Sequence, residues 1–560
     1  MKYLIIGGVA GGATTAARLR RIDENSEIIL FEKGDYISYA NCGLPYYIGN
    51  VIKERGNLFL QTPISFGNRF NVEVRIKSEV IHIDSVQKKV KVCHLDTGKE
   101  YEEYYDKLVL SPGAEPIKPP IAGIDSPQIF TLRSVNDTDR IKKLVQSQFN
   151  TSKEAIIVGA GFIGLEMAEN LHQLGFHITI IEKAPQVMTP LDLPMAVIVH
   201  DHLKNKNINL ILNNGVSSFS HQHEQVTAHL ENGESILGDL VILSIGVKPD
   251  IQLAKTSGLK IGNAGGIWVN EHLQTSEPDI YAVGDAIEFP HPVSGKSFCC
   301  YLAGPANKQA RICADNLVNE NQKSYQGSIA TAIAKVFDLT VGATGLSEMN
   351  LKGCHIPYLT SITHPTSHAG YYPGAKPMSI KLNFAPANGK LLGAQVVGSE
   401  GADKRLDLLA SVISNGGTIY DLIDLEHAYA PPYSSAKDPV SLAGYVAENI
   451  LTQKVFPMQW DELESILSDK QKRNDYFMID TRTVMEYKNG TISGSSNYPV
   501  DEIREWIEEI PSEKKIILFC AVGLRGYIAS RILLQSGFKT VYNLSGGFKT
   551  YSLLGKYVIK

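Results

Sequence analysis

The sequence predicts an α/β protein with two nested βαβ units, an α+β domain and a separate C-terminal α/β domain. Three observations support this prediction. The runs KYLIIGG with EIILFEK, and EAIIVGAG with HITIIEK, repeat one plan of apolar strand, glycine turn, helix and second strand ending in an acid. From about residue 325 the chain alternates like an antiparallel hairpin, and after about residue 455 an α/β pattern returns.

Length and composition exclude several classes of protein. The 560 residues are too many for one core, so two to four domains are expected. A net charge of -5 gives no sign of a nucleic acid partner. There is no run long and apolar enough for a membrane span, and glycines interrupt the N-terminal apolar stretch, unlike a secretory signal. Seven irregularly spaced cysteines predict neither a disulfide framework nor a metal site, and they favour a reducing, cytoplasmic setting.

The order of the elements predicts the domain boundaries. The run TSEPDIYAVGDA, at residues 275–286, has the pattern of a strand that closes the first βαβ domain after the second is complete. MSIKLNF and KLLGAQVVG flank a turn at Asn388-Gly389 and form the predicted hairpin. The expected domains are 1–150 with 255–325, then 151–254, 326–450 and 457–560.

The second glycine turn predicts a dinucleotide site. Gly159, Gly161 and Gly164 fit G-x-G-x-x-G between a strand and a helix, where a pyrophosphate binds the helix N-terminus. Glu182 ends the next strand, where an acid would hold a ribose 2′-hydroxyl and repel a 2′-phosphate. NADH is therefore favoured, although the adjacent Lys183 keeps NADPH possible. The alternative is a glycine turn without a ligand.

The first glycine turn is less regular and predicts a flavin nucleotide site. Val9 stands where the middle glycine belongs, and Glu32 ends the following strand. Asp285, in VGDA, suits the ribityl hydroxyls of a flavin such as FAD. Two Rossmann-like sites in one chain predict hydride transfer from nicotinamide to flavin. The glycines at this turn are Gly7, Gly8, Gly11 and Gly12.

A single cysteine follows the first unit, in SYANCGLPYY. Cys42 has no nearby partner, since the next cysteine is Cys93. A thiol beside a flavin that lacks a second cysteine must form its disulfide with an external thiol. It could instead cycle through a sulfenic acid, as in an NADH oxidase or peroxidase, or be an inert buried residue.

Residues 1 to about 445 resemble the coenzyme A-disulfide reductase branch of the flavin pyridine-nucleotide–disulfide oxidoreductases. The motifs that carry the resemblance are GGVAGGAT, SYANCGLPY, SPGA, GAGFIGLE, IYAVGDA, HAGYYPGA and YAPPYSSAKDP. The resemblance implies that the external thiol is coenzyme A, held as a mixed disulfide with Cys42. Val9 at the middle position also belongs to this branch's pattern.

The same resemblance implies two sets of binding residues. This chain departs from the family's pattern at one position. Where the family has a basic residue, this chain has Phe70, and Arg69 lies one place earlier. Taken alone, the arginines of the first helix would form an ordinary solvated face. The implied coenzyme A set is Thr14, Arg18, Arg21, Ser38 and Asn41, with Arg69 and Lys437 as further candidates. The candidate cofactor-binding set also includes Lys33, Val80, Ser111, Gly113 and Glu166.

Two tyrosines are implied to serve the leaving thiolate by donating a proton or stabilising charge. We choose Tyr371 and Tyr429, with Tyr372 and Tyr433 as the alternatives in each motif. In the family these tyrosines reach the flavin site of the other subunit, which implies a homodimer. The competing interpretation is that they only pack an interface.

The C-terminal region contains a second candidate nucleophile. Cys520 follows the strand IILF and precedes a helix expected from about Tyr527, and Arg525 completes C-x-x-G-x-R. Loop amides, the helix N-terminus and Arg525 would all favour a thiolate. Residues 457–560 resemble a rhodanese domain, in which Asp480, Arg482 and Glu486 match the framework near the loop and are expected to have a structural rather than a chemical role. A phosphatase-like site and an inert interaction module are the alternatives.

Together these features predict an NADH-dependent, FAD-containing reductase of persulfides, polysulfides and coenzyme A disulfide, acting through Cys42 and coupled to a sulfurtransferase. Small-molecule thiols and persulfides are the expected partners. Three alternatives remain: a plain coenzyme A-disulfide reductase, an NADH oxidase or peroxidase, and a redox-sensing binding module.

Overall fold

The structure is a computed structural model that describes residues 1–146 and 153–559. The predicted boundary between residues 150 and 151, and residue 560, lie outside these ranges. The chain divides into two compact units, which are Met1–Val187 with Asn207–Ala330, and Met188–Lys206 with Thr331–Lys560.

The first unit contains two five-stranded parallel sheets. Their inner strands are largely buried, as expected for parallel sheets covered on both faces, whereas the edge strands Glu73–Arg75 and Asn209–Ile211 are partly exposed. The strand order of the first sheet is Ile280–Ala282, Lys107–Leu110, Lys2–Ile6, Glu27–Phe31 and Glu73–Arg75. Because Ile280–Ala282 returns to this sheet after the second sheet is complete, the predicted nesting of the two units is confirmed.

The second sheet begins earlier in the chain than the predicted domain boundary. Ile129–Phe130 pairs in parallel with Leu240–Leu243, so this sheet takes up residues before the connecting helix Val135–Gln146. The strand order is Asn209–Ile211, His177–Ile181, Glu154–Val158, Leu240–Leu243 and Ile129–Phe130.

Smaller sheets and helices complete the first unit. The three-stranded sheets are Ser78–Asp84 with Lys89–His94 and Lys99–Tyr104, Val216–Gln222 with Gln225–Leu230 and Ser235–Gly238, and Ile267–Trp268 with Ile287–Pro290 and Ser297–Cys299; Ala114–Pro116 pairs with Val247–Pro249. The helices are Ala10–Ile22, Leu44–Ile48, Pro63–Phe70, Val135–Gln146, Phe162–Gln173, Gln252–Thr256 and Ala303–Val318, with 3₁₀ turns at Asn41–Gly43, Arg55–Leu58 and Gly284–Ala286.

The second unit contains a five-stranded antiparallel sheet and a five-stranded parallel sheet. The predicted hairpin is confirmed, since Met378–Phe384 pairs antiparallel with Leu391–Gly398. The antiparallel order is Ala332–Val336, Leu339–Gly345, Leu391–Gly398, Met378–Phe384 and Leu359–Thr363. The parallel order is Phe456–Met458, Val541–Leu544, Lys515–Phe519, Tyr476–Asp480 and Ser496–Asn497, beside the pair Thr491–Ile492 and Val558–Ile559.

The C-terminal parallel sheet has an apolar layer on each face. Ile517 and Phe519 pack into one cluster, whereas Ile516 and Leu518 pack into the other, as the two-residue period of a strand requires. The helices of this unit are Leu193–Asn205, Glu348–Gly353, Ala402–Ser414, Ile419–Asp424, Pro439–Leu451, Trp460–Ser468, Lys470–Asn474, Val484–Lys488, Leu524–Gln535 and Gly547–Leu554, with a 3₁₀ turn at Ile507–Glu509.

The helix Leu193–Asn205 lies within the predicted range 151–254, but it clusters with the second unit. A buried polar network explains this. The Asp192 carboxylate accepts hydrogen bonds from the Glu348 amide (2.8 Å) and from Gln395 Nε2 (2.7 Å), and it lies 3.4 Å from the buried Lys381 ammonium. These bonds compensate the carboxylate for lost hydration, so the start of the helix is tied to the antiparallel sheet.

Within the described ranges, no helix has the length and hydrophobicity needed to cross a membrane. The same residues form no group of three or more side chains arranged to hold a metal ion.

Candidate functional site

The first glycine turn brings its backbone unusually close to the following helix. Gly7 has a φ of 99°, and a Cβ on Gly12 would lie 1.8 Å from the Gly7 carbonyl oxygen. Only glycine fits at these two positions. The helix Ala10–Ile22 begins at Val9 without a side-chain cap, which leaves its first amides available to a phosphate group.

The two acids at the strand ends make matching hydrogen bonds. Glu32 accepts from the amides of Gly8 (2.8 Å) and Gly34 (2.7 Å). Glu182 accepts from the amides of Ala160 (2.7 Å) and Ala184 (2.8 Å). In both sites the carboxylate is therefore oriented beside the glycine turn, in position to accept a further hydrogen bond.

A cavity of about 540 Å³ brings most of the predicted flavin residues together. A second cavity of about 1020 Å³ shares Glu32 and Lys33 with it and adds Val80. The uncapped helix and the acid at the strand end provide groups for the phosphates and ribose of FAD, so these residues fit that cofactor. The predicted residues that line the first cavity are Gly7, Gly8, Gly11, Glu32, Lys33, Asn41, Cys42, Ser111, Gly113 and Asp285.

Cys42 opens onto this cavity as a free thiol. It lies in the 3₁₀ turn Asn41–Gly43, directly before the helix Leu44–Ile48. Desolvation by the surrounding protein, together with the charges of Glu166 and Asp285, raises the pKa of this thiol. Burial also raises the pKa of Asp285.

The structure adds Arg133 to this cavity, a residue that the sequence did not single out. Its Nε donates to the Ala114 carbonyl oxygen (2.7 Å), and its charge partly offsets the burial that raises the pKa of the nearby Asp285. With its amide oriented to satisfy both groups, Asn41 accepts from Arg133 Nη1 at 2.7 Å. No local motif surrounds Arg133, so sequence patterns contained no signal for it.

The second glycine turn repeats the geometry of the first. Gly159 has a φ of 100°, and a Cβ on Gly164 would lie 2.1 Å from the Gly159 carbonyl oxygen. Gly161 precedes the first residue of the helix Phe162–Gln173, and no side chain caps this helix. Lys183 points away to Glu231, with 2.7 Å between ammonium and carboxylate.

The predicted coenzyme A residues of the first helix make contacts within the protein. Arg18 Nε donates to Asp315 at 2.8 Å, and Thr14 Oγ1 donates to Asn307 at 2.6 Å. Arg21 Nε donates to the Ala17 carbonyl oxygen at 2.9 Å. The Arg18–Asp315 pair shows that this arginine already has an anionic partner on the helix Ala303–Val318.

The remaining coenzyme A candidates lie on loops and helix ends. Ser38 adopts a φ of 46°, and its amide donates to the Gly8 carbonyl oxygen, which joins it to the first glycine turn. Arg69 is in the last turn of the helix Pro63–Phe70. Lys437 belongs to the second unit and directly precedes the buried Asp438.

The two chosen tyrosines meet in the second unit. Their hydroxyl oxygens are 2.9 Å apart, and Tyr371 is 76% and Tyr429 is 48% exposed. This hydrogen bond raises the pKa of Tyr429. The alternative Tyr372 instead packs edge-on against His368.

Cys520 is buried directly after the strand Lys515–Phe519, at the start of a loop that ends at Gly523. We call this loop, residues 520–523, the Cys520 cradle. The Gly523 amide donates to its sulfur at 3.1 Å. The helix begins at Leu524 rather than near Tyr527, because Gly523, with a φ of 105°, ends the loop there. Arg525 is held by both Glu486 oxygens at 2.7 Å, and this pairing lowers the pKa of Glu486 to about 2.

The framework residues of this domain are buried around the cradle. Arg482 pairs with Asp480 (2.6 Å), donates to the Gly490 carbonyl oxygen and lies 4.1 Å from the centre of the Phe548 ring. The Phe548 amide in turn donates to the Cys520 carbonyl oxygen at 2.8 Å. These contacts support the structural role expected for Asp480 and Arg482.

Three family models match successive parts of the chain. The model described as pyridine nucleotide-disulphide oxidoreductase matches residues 1–308, and its dimerisation domain matches 331–439. A rhodanese-like domain matches residues 460–553.

Similar proteins span the chain at high identity. A coenzyme A disulfide reductase from Staphylococcus epidermidis is 37% identical over 448 residues, which cover 80% of this chain and all of that protein. The reduced CoADR-RHD of Bacillus anthracis is 46% identical, with a TM-score of 0.96 over 100% of this chain and 99% of that one. A NAD-dependent persulfide reductase from A. fulgidus is 37% identical, with a TM-score of 0.91 over 98% of this chain and 100% of that one.

The two glycine turns and the cavity beside Cys42 lie within the residues that the oxidoreductase model matches. The protein belongs to the pyridine nucleotide-disulphide oxidoreductase family, with that family's dimerisation domain and a C-terminal rhodanese-like domain.

Proposed function

We propose that this chain is an NADH-dependent, FAD-containing reductase of sulfane sulfur and coenzyme A disulfide, coupled to a sulfurtransferase. The observation that carries the proposal is Cys42, a free thiol that opens onto the cavity beside the first glycine turn. The similar coenzyme A disulfide reductase and persulfide reductase support both substrate classes.

The residues around the cavity fit the binding of FAD. The uncapped helix after Val9 would hold the pyrophosphate, Glu32 the ribose and Asp285 the ribityl chain. Bound there, FAD supplies two-electron transfer between a nicotinamide and a sulfur–sulfur bond. Arg133 would offset the negative charge of Asp285 and of a phosphate.

The second glycine turn would hold the nicotinamide nucleotide. Glu182 is oriented by two backbone amides to accept from a ribose 2′-hydroxyl, and it would repel a 2′-phosphate. Lys183, the residue that left NADPH possible as the nucleotide, forms an ion pair with Glu231. The arrangement therefore favours NADH. Glu166, on the helix after this turn, is the candidate for contact with the nicotinamide.

At Cys42 the thiolate attacks one sulfur of the substrate, and the outgoing thiolate takes a proton. The product is a Cys42 mixed disulfide or persulfide, which two electrons and a proton then open again. Tyr371 and Tyr429, with their paired hydroxyls, are the proposed proton donors. The match to the family's dimerisation domain supports a homodimer. In that dimer these tyrosines would serve the partner's site.

Coenzyme A would be held through its phosphates by the cationic helix that carries Arg18 and Arg21. Arg18 would have to share its charge between Asp315 and the ligand. Lys323 also pairs with Asp315, so that carboxylate would keep a cation when Arg18 turns to a phosphate.

Cys520 is the proposed sulfur carrier of the C-terminal domain. The Gly523 amide and the adjacent Arg525 would stabilise its thiolate and the persulfide that forms on it. Arg525 is oriented by the Glu486 carboxylate rather than by solvent.

NADH oxidation tests the proposal in wild type, Cys42→Ser and Cys520→Ser, with coenzyme A persulfide and coenzyme A disulfide as acceptors in anaerobic assays and with oxygen as the acceptor in a separate aerobic assay. We expect Cys42→Ser to lose reduction of both sulfur substrates. Cys520→Ser should lose only sulfur transfer from a donor such as thiosulfate. Full sulfide release by Cys42→Ser would refute the mechanism. A rate of oxygen consumption that does not depend on sulfur substrates would indicate an oxidase.

A further inference from the structure

A carboxyl group is hydrogen-bonded to a tyrosine next to Cys42. Tyr46 lies in the helix Leu44–Ile48, four residues after Cys42, and the Cys42 thiol is close enough to act electrostatically on the Tyr46 hydroxyl. The Tyr46 hydroxyl donates to Glu166 Oε1 at 3.3 Å. Glu166 is 120 residues away in sequence, on the helix that follows the second glycine turn.

The two helices are fixed against each other, so this contact is part of the packing. A Cβ on Gly49 would lie 2.0 Å from Asn170 Oδ1, which means that the end of the Tyr46 helix directly touches the Glu166 helix. Asn170 Nδ2 also donates to the Glu166 carbonyl oxygen at 2.8 Å. Burial raises the pKa of Glu166 to about 7, and the neighbouring Glu169 acts in the same direction.

We propose that Glu166 accepts the proton of the Cys42 thiol through the Tyr46 hydroxyl, so that one negative charge is shared between sulfur and carboxylate. This inference rests on the proposed function, since it treats Cys42 as the reacting thiol. Glu166 acts through Tyr46 and is a positioning residue in this scheme.

The step is a proton transfer in which no electrons change place. The Cys42 S–H bond breaks and the Tyr46 oxygen takes that proton, while the Tyr46 hydroxyl proton passes to the Glu166 carboxylate. The products are a Cys42 thiolate and a neutral Glu166 carboxylic acid. The net charge stays at one negative unit, so the site generates a nucleophile without taking up a second charge.

Other charged groups surround the pair, and their positions are compatible with this exchange. Asp285 acts on Cys42 from the 3₁₀ turn Gly284–Ala286 and is offset by Arg133. On the packed helix Val135–Gln146, Lys142 donates to the Tyr47 carbonyl oxygen and to Asn50. From the Glu166 helix itself, Glu169 acts on both Tyr46 and Glu166.

The test measures the rate at which iodoacetamide alkylates Cys42 between pH 5 and 10. The FAD-loaded protein is first reduced and desalted without oxygen, and the labelled peptide is quantified by mass spectrometry. In wild type the rate should rise in two steps, because the two groups titrate as a pair. Glu166→Gln should show one step and alkylate at least about threefold faster at pH 8, where the wild-type carboxylate opposes the thiolate.

Tyr46→Phe removes the donor that stabilises the charged carboxylate, so Glu166 stays protonated to higher pH. Its alkylation rate at pH 8 should lie between wild type and Glu166→Gln, and the double variant should equal Glu166→Gln. Tyr47→Phe is the matched control, because its ring faces Lys142 instead, and it should behave like wild type.

Two results would overturn the inference: a Glu166→Gln profile equal to wild type, or effects of the two substitutions that add. FAD content and thermal midpoint identify a variant that fails to fold, and Tyr46→Phe then decides the question alone. A failure here leaves turnover by Cys42 intact, whereas full turnover by Cys42→Ser would refute the proposed function itself.

Discussion

The hydroxyl oxygens of Tyr371 and Tyr429 lie 2.9 Å apart, although the two residues are 58 positions apart in the chain. Tyr371 lies on the loop between the strands Leu359–Thr363 and Met378–Phe384, and Tyr429 lies on the loop before the helix Pro439–Leu451. The second loop is anchored by a buried ion pair between Arg405 and Asp438 (2.8 Å). In the proposed mechanism the pair would act as one unit, in which one hydroxyl donates to a leaving group and the other orients it.

Removing either hydroxyl should impair the reduction of coenzyme A disulfide. We expect Tyr371→Phe and Tyr429→Phe each to lower kcat by about 100-fold, the lower end of the range for a lost proton donor. Because the hydroxyls share one hydrogen bond, the double variant should fall little further. Tyr372→Phe and Tyr433→Phe are the matched controls, and a larger loss in either would reassign the role within its motif.

Glu182 should determine the choice of nicotinamide nucleotide. Glu182→Ser removes the charge that repels a 2′-phosphate, so the ratio of kcat/KM for NADH over NADPH should fall by at least about tenfold. Steady-state rates with both nucleotides measure the ratio. Glu231→Gln is the control that frees Lys183, and it should change the ratio in the same direction by a smaller factor. An unchanged ratio in Glu182→Ser would contradict the assignment.

Sulfur transfer should depend on the paired geometry of Arg525. Lysine cannot reproduce the two parallel hydrogen bonds to Glu486, so Arg525→Lys should lower thiosulfate-dependent sulfur transfer at least about tenfold. Reduction of coenzyme A disulfide, assayed on the same protein, should not change. Arg531→Lys is the control and should retain both activities, since Arg531 is on the same helix but donates to the Lys454 carbonyl oxygen rather than to Glu486.

His364 should stabilise the loop that supports the Cys520 cradle. Its ring nitrogens contact Ser379 Oγ (2.8 Å) and Thr550 Oγ1 (2.9 Å), and the segment around Phe548 bonds to the Cys520 carbonyl oxygen. Thr550→Val removes the hydroxyl that contacts the half-buried His364 ring, which also bonds to the Gly546 backbone, so the loss should cost about 0.5–1.5 kcal/mol of unfolding free energy.

Thermal unfolding and sulfur transfer together test the role of His364. Thr550→Val should lower both the midpoint and the transfer rate, whereas Thr550→Ser keeps the hydroxyl and should restore them. If Thr550→Val matches wild type in both measurements, the contact does not support the cradle.

The half-buried Glu166 should make stability fall as pH rises. Its pKa is raised from 4.5 to about 7 in the folded state, so the folded state binds the proton more tightly than the unfolded chain does. The free energy of unfolding should therefore decrease between pH 4.5 and 7, by about 1–3 kcal/mol, and level off above that range. Urea unfolding, followed by release of flavin fluorescence, measures this. Glu166→Gln should remove the slope, and a slope that persists would assign it to other groups.

Some features of this protein follow from the sequence alone. These features depend on neighbours within a few dozen residues. They are the glycine turns at Gly7 and Gly159, the acids Glu32 and Glu182, and the positions of Cys42 and Cys520 beside turns. Strand period, glycine spacing and the transition from strand to helix are local properties, so the pattern of residues specifies them. The nested parallel sheets and the later antiparallel hairpin follow from the same signals.

Partners of side chains distant in sequence were decided only by the tertiary structure. Tyr46 with Glu166, Arg18 with Asp315 and Arg525 with Glu486 join helices whose relative placement depends on the packing of whole layers. The same holds for Arg133 in the cavity wall and for the meeting of Tyr371 with Tyr429. A local pattern gives each helix its buried face, but the distance between two side chains on different elements is set by how those faces pack.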